Sequence, residues 1–134
     1  MKRILLVEGN EECRKMLACI IRYLGYEVIQ TDSGFEGIAR AGLEHPELIF
    51  ISLDFPEMRR LDAINSLKNN LQTSDIPIVV FPPWDSKEAT EAAVNAGATE
   101  VLKEPSTLDS FRQVLRKYAA SSDTGFRREV LTLQ

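Results

Sequence analysis

Leu48-Ile49-Phe50-Ile51 is apolar at every position. A strand with one wet face alternates apolar and polar residues. An unbroken apolar run is what a strand covered on both faces needs, and the central strands of parallel sheets are of that kind. On its N-terminal side, Ile4-Leu5-Leu6-Val7 is a similar run that stops at Glu8-Gly9-Asn10. Cys13, Met16, Leu17, Ile20, Ile21 and Leu24 then recur at helical spacing, with Asn10 as N-cap and Glu11 and Glu12 at the positive end of the helix dipole. Gly25 ends this helix, and Glu27-Val28-Ile29-Gln30-Thr31 reads as a second strand. Ser33-Gly34-Phe35-Glu36 is a capping box, opening a helix through Ile38 and Ala39 to about Leu43.

On the C-terminal side, Leu61, Ile64, Leu67 and Leu71 mark a third helix. Ile76-Pro77-Ile78-Val79-Val80-Phe81 is a fourth strand, stopped by Pro82-Pro83. Asp85-x-x-Glu88 starts a helix carrying Ala89, Ala92, Ala93 and Ala96, and Gly97 ends it. Glu100-Val101-Leu102-Lys103 is a short fifth strand. Ser106 or Thr107 caps a last helix through Leu108, Phe111, Leu115 and Tyr118. Strands and helices alternate throughout, so the chain is α/β, a parallel sheet with helices on both faces.

The 134 residues are 44% hydrophobic and 27% charged, an ordinary globular composition. That length suits one domain, expected over residues 1–120, with 121–134 as a C-terminal tail or linker. The net charge is −4, and the densest basic pairs, Arg59-Arg60 and Arg127-Arg128, form no stripe, so no nucleic-acid partner is expected. No apolar run approaches the ~20 residues of a membrane span, and none has the form of a signal peptide. Cys13 and Cys19 lie on one helix about 9 Å apart along its axis, too far for a disulfide. They read as helix-face filler, free thiols in a reducing cytoplasm.

Ligands of open parallel sheets sit at the carboxyl ends of the strands. That points to Glu8-Gly9, Ser52 to Asp54, Pro82-Pro83 and Glu104. At these places the chain resembles the receiver domain of two-component response regulators, over about residues 2–120. The resemblance rests on Lys2-Arg3-Ile4-Leu5-Leu6-Val7-Glu8, Leu24-Gly25-Tyr26-Glu27-Val28 and His45-Pro46-Glu47-Leu48-Ile49. Pro56-Glu57-Met58, Ile76-Pro77-Ile78-Val79-Val80, Ala96-Gly97-Ala98 and Glu104-Pro105 continue it in order. It implies a flavodoxin-like doubly wound (βα)5 fold with strand order 2-1-3-4-5.

The resemblance also implies a chemistry: phosphoryl transfer from a kinase phosphohistidine to an Asp ending strand three. An acidic pair after strand one and that Asp hold Mg²⁺. A Thr or Ser ending strand four and a Lys ending strand five contact the phosphoryl oxygens, neutralising the charge in transit. Carried over position by position, the pattern is lost. The acidic pair becomes Glu8-Gly9, the acceptor Ser52, the Thr/Ser Pro82 and the Lys Glu104. The aromatic switch residue becomes Val101, and the Asp-Gly after strand three becomes Arg59-Arg60. With Pro82 and Val101 at the two switch positions, the domain is expected to stay in one state. Glu8 and Glu104 would face one site, where like charges at about 4 Å cost several kcal/mol in a low effective dielectric.

The expectation is therefore a pseudo-receiver. It is not an enzyme, needs no metal or cofactor, and acts as a phosphorylation-independent interaction module. Its partners would be signalling proteins, a histidine kinase, another regulator or an effector, bound through the face of helix 4, strand 5 and helix 5. A homodimer through the last helices is open, and the Glu104-Pro105 bond is expected to be cis. One rival reading makes Asp54 the phosphoacceptor with Mg²⁺, since it shares a strand face with Ser52. A second makes the chain a small-ligand-binding flavodoxin-like domain, against which Glu8-Gly9-Asn10 is no Gly-rich phosphate cradle. Trp84 either plugs the pocket, anchors a partner or packs on the following helix. His45 reads as a surface loop residue.

Overall fold

The computed structural model describes residues 2–52, 61–81, 87–102 and 108–119. The strands are β1 (Arg3–Val7), β2 (Glu27–Thr31), β3 (Leu48–Ser52), β4 (Ile78–Phe81) and β5 (Glu100–Val101). The helices are α1 (Glu11–Tyr23), α2 (Gly34–Glu44), α3 (Asp62–Asn69), α4 (Lys87–Ala96) and α5 (Leu108–Tyr118). All pairings are parallel, in the order β2-β1-β3-β4-β5, as expected.

The apolar runs explain the layering. Every residue of β3 and β4 is buried, and of β1 all but Arg3. Strand alternation divides their side chains between two cores. Leu5, Val7, Ile49, Ile51, Ile78 and Val80 pack with Ala41, Ala63, Ile64, Leu67 and Ala93 of α2, α3 and α4. Ile4, Leu6, Leu48, Phe50, Val79 and Phe81 pack with Leu17, Ala18 and Ile21 of α1 and Phe111, Val114 and Leu115 of α5.

The caps read from the sequence for α1 and α2 are present. Asn10 Oδ1 accepts from the Cys13 N–H at 2.9 Å, and Ser33 Oγ accepts from the Glu36 N–H at 3.1 Å. Gly25 and Gly97 follow α1 and α4 at φ 100° and 122°, where a side chain would be strained. His45 ends α2 in the left-handed region at φ 47° and is exposed, as expected.

Three expectations are corrected. Leu71 is 93% exposed and lies beyond α3, which stops at Asn69. The helix stops there because Asn70 starts a turn: its Oδ1 accepts from the Gln72 N–H, and its carbonyl accepts from Thr73 and Ser74. β4 begins at Ile78 rather than Ile76, because the Ile76 N–H is committed to the Thr73 carbonyl. Lys68 then pins that connection, donating through Nζ to the Ser74 and Ile76 carbonyls at 3.1 and 2.8 Å. Burial among these groups lowers the Lys68 pKa, partly offset by Asp75. Cys13 and Cys19 are exposed rather than packing filler. The inward face of α1 is Leu17, Ala18 and Ile21, with Ile20 and Leu24 at its margin. The Glu104-Pro105 bond, Asp85, the caps Ser106 and Thr107, and the tail 121–134 lie outside the described residues.

α2 sits unusually close to β1. A Cβ on Gly37 would lie 2.7 Å from Val7 Cγ2 and 3.3 Å from its Cγ1, whereas a Cβ on Gly42 meets only Gln72 Oε1, at 3.8 Å. Val7 is buried and stiff about χ1, so it cannot give way. Two Gly→Ala changes in one helix are therefore expected to have opposite signs. Gly42→Ala should stabilise by about 0.5–1 kcal/mol through helix propensity. Gly37→Ala should destabilise by about 1–3 kcal/mol through overpacking. Urea denaturation of the two variants checks this.

Candidate functional site

The candidate site lies at the carboxyl ends of the central strands, where the strand order reverses between β1 and β3. Val7 pairs with Ile51, so Glu8 and Ser52, one residue on, leave adjacent strands side by side. Ser52 in turn pairs with Phe81 at the end of β4. Alternation along the strands puts Glu8, Ser52 and Phe81 on the side of Leu6, Phe50 and Val79, facing α1 and α5. Phe81 is an apolar neighbour there. Its ring lies 6.4 Å from that of Phe50, which in turn lies 5.1 Å from Phe111.

Glu8 is only 7% exposed. Its backbone N–H extends the β1–β2 ladder to the Thr31 carbonyl at 3.0 Å. Its Oε2 accepts from the Asn10 N–H at 3.2 Å. Its carbonyl accepts from Arg14 Nη1 at 3.0 Å. The carboxylate thus folds back at the foot of α1, where the helix dipole favours negative charge. Gly9 beside it is exposed and supplies no ligand atom from a side chain. Ser52 is buried, 4% exposed.

Of the residues singled out in the sequence, the structure therefore brings Glu8, Gly9 and Ser52 together. Asp54, Pro82, Pro83, Trp84, Glu104 and the pair Arg59-Arg60 lie outside the described residues. Val101, the switch position on strand five, pairs with Val80 and packs partly buried against the α2–α3–α4 core. Among the described residues, no group of three His, Cys, Asp or Glu could hold a metal ion.

Residues that sequence reasoning did not connect flank the mouth. Arg14, Gln30, Thr31, Asp32 and Glu36 line an open polar hollow beside β2. Thr31 is buried, and its Oγ1 reaches the Leu6 carbonyl at 3.4 Å. Arg14 carried a readable signal: it lies one helical turn beyond the Asn10 cap and so faces the strand ends. The hollow itself joins three separate elements and had none.

A parallel sheet in order 2-1-3-4-5 with a polar site at its switch point is the flavodoxin-like arrangement, which the receiver class shares. The response regulator receiver domain model matches residues 4–116, and the chain belongs to that family, whose members work in two-component signalling. It is similar to the polar-differentiation response regulator DivK of Brucella ovis, with 28% identity over 117 residues, 87% of this chain and 95% of that protein. In structure it is similar to the chemotaxis protein CheY4 of Vibrio cholerae, with TM-score 0.81, 23% identity, and coverage of 88% of this chain and 98% of that one. It is similar too to the receiver domain of the sensor histidine kinase PA1611 from Pseudomonas aeruginosa, with TM-score 0.81, 20% identity, and coverage of 87% and 96%. No helix among the described residues is long and apolar enough to cross a membrane.

Cys13 reports on the charge at this mouth. Partial desolvation raises the pKa of this exposed thiol, and the Glu8 and Glu12 carboxylates raise it further. A raised pKa means less thiolate at any given pH below it. Glu8→Gln removes one of the like charges, so the Cys13 pKa should fall part of the way back and its alkylation by iodoacetamide at pH 8 should speed up. Peptide mapping of the label against pH reads the shift. An unchanged rate would mean that Glu8 does not act on this thiol.

Proposed function

We propose that this domain is a receiver that has lost phosphotransfer and works as a phosphorylation-independent protein interaction module. The observation that carries the reading is Ser52. It ends β3, at the position where the sequence resemblance puts the family's acceptor Asp, and it is buried beside Glu8. An alcohol brings no charge to a metal ion, and it would form a phosphate ester rather than the acyl phosphate of the family. The Mg²⁺ that the family uses does not fit the donor set that β1 and β3 deliver. Glu8 gives one carboxylate, with Oε2 already accepting from Asn10, and Gly9 and Ser52 give none. A hard divalent ion wants more oxygen ligands than that. The PA1611 receiver is described with a magnesium ion coordinated in its active-site cleft. In the sequence, Glu104 at the Lys position adds a like charge.

On this reading the chain is not an enzyme, and its output is a complex with a signalling protein in the cytoplasm. The face of α4, β5 and α5 suits such a partner. Val94 is half exposed on α4 and Leu108 partly exposed on α5. Between β5 and α5, Glu100 accepts from Tyr118 Oη at 2.7 Å and pairs with Lys117 Nζ at 3.2 Å, holding the two elements together.

Backbone NMR titration with Mg²⁺ and then beryllofluoride, a mimic of the acyl phosphate, tests the loss of phosphotransfer. Wild type is expected to show no saturable shifts at the amides of Glu8, Gly9, Ser52 and Val101. Saturable shifts that disappear in Asp54→Asn would make Asp54 a phosphoacceptor and overturn the proposal.

A further inference from the structure

The turn between α3 and β4 and the end of α4 meet where the strands begin, at the end of the sheet opposite the candidate site. One side chain joins them. Lys68, in the last turn of α3, donates through Nζ to the Ser74 and Ile76 carbonyls of the turn at 3.1 and 2.8 Å. Its stem runs under the residue that ends α4. A Cβ on Gly97 would lie 2.7 Å from Lys68 Cγ and 3.4 Å from Lys68 Cβ, so the Gly97 backbone rests directly on the stem. Gly97 donates in turn to the Val94 carbonyl at 3.0 Å, and Ala98 to the Ala93 carbonyl at 3.0 Å. Thr99 closes the circuit back to β4. Its N–H donates to the Ile78 carbonyl at 2.7 Å, and its Oγ1 accepts from the Ile78 N–H at 3.0 Å.

We infer that Lys68 is a latch on α4. With its two bonds made, the stem is fixed under Gly97 and the end of α4 is held. With them broken, the turn and the end of α4 loosen together. The chemistry of lysine suits this. An ammonium has three donors and can serve two carbonyls at once, and bonds from a charged donor are stronger than neutral ones. The stem is long and flexible, so ordering it is costly in entropy, and only the bonds at its tip offset that cost. The seat of Gly97 therefore depends on contacts made several atoms away, on the turn. The functional meaning of the latch rests on the proposed use of the α4, β5 and α5 face by a partner. Val94, half exposed on that face, is the residue whose carbonyl Gly97 holds. Control of the face then enters from the end of the sheet away from the candidate site, and it needs no phosphoryl group.

Native-state hydrogen exchange of the full chain, read amide by amide by NMR, tests this. In wild type the amides of Ile76, Gly97 and Ala98 should open as one unit, with opening constants within about threefold of one another. Lys68→Met keeps an unbranched stem and removes the donors. It should speed exchange at Ile76, Gly97 and Ala98 at least about tenfold and leave the amides of β1 at wild-type rates. If Lys68 only pads the end of α4, the Met stem does the same, and unchanged exchange at Gly97 and Ala98 overturns the inference. So does a wild type in which Ile76 and Gly97 open independently, a result that stands even where Lys68→Met does not fold. Neither measurement involves a partner. A failed latch therefore leaves the proposed partner face in place, and a failed partner face leaves the latch.

Discussion

β3 and β4 have no side that meets water, and β1 meets it only at Arg3. That single constraint orders the molecule. It demands helices on both faces, and it forces parallel crossovers through those helices. It also excludes polar side chains from these strands until their ends. The first polar residues after the apolar runs are Glu8 on β1 and Ser52 on β3, and the ladder sets them side by side. A carboxylate so deeply covered needs partners, and the turn into α1 supplies one in the Asn10 N–H. The site is thus the place where two buried strands stop being apolar. On the proposed reading, the carboxylate that β1 and β3 deliver there is too little for phosphotransfer, and the same scaffold serves as a binding module.

The fold was legible because burial on two faces leaves an unmistakable mark, unbroken apolar runs of strand length. The N-caps of α1 and α2 were legible too, because each is a contact between residues three apart. What failed were patterns that helical spacing cannot distinguish from their surroundings. Leu71 continues the period that Ile64 and Leu67 set on α3, yet the Asn70 turn breaks the helix first. Cys13 has the spacing of a core position, but it lies in the first turn of α1, outside the buried set of Leu17, Ala18 and Ile21, and is exposed. At the site, Glu8 and Ser52 could be read because strand register carries them together. The hollow of Arg14, Thr31, Asp32 and Glu36 could not, because α1, β2 and α2 meet there only in three dimensions.

The glycine at position 37 links the sheet to the outer surface. An amphipathic helix normally turns its large apolar residues to the sheet, at about 1.5–3 kcal/mol for each one buried. α2 forgoes that for Phe35 and Leu43. In exchange it lies close enough on β1 for Gly37 to touch Val7, directly before Glu8. Close packing at that point fixes the last residue of β1, and with it the position of the carboxylate at the strand end. With Gly37, Ile38 and Ala41 turned to the sheet, Phe35 and Leu43 on the other side of α2 stay in water. Rigid placement of the site and an apolar outer face on α2 are therefore two consequences of one missing side chain.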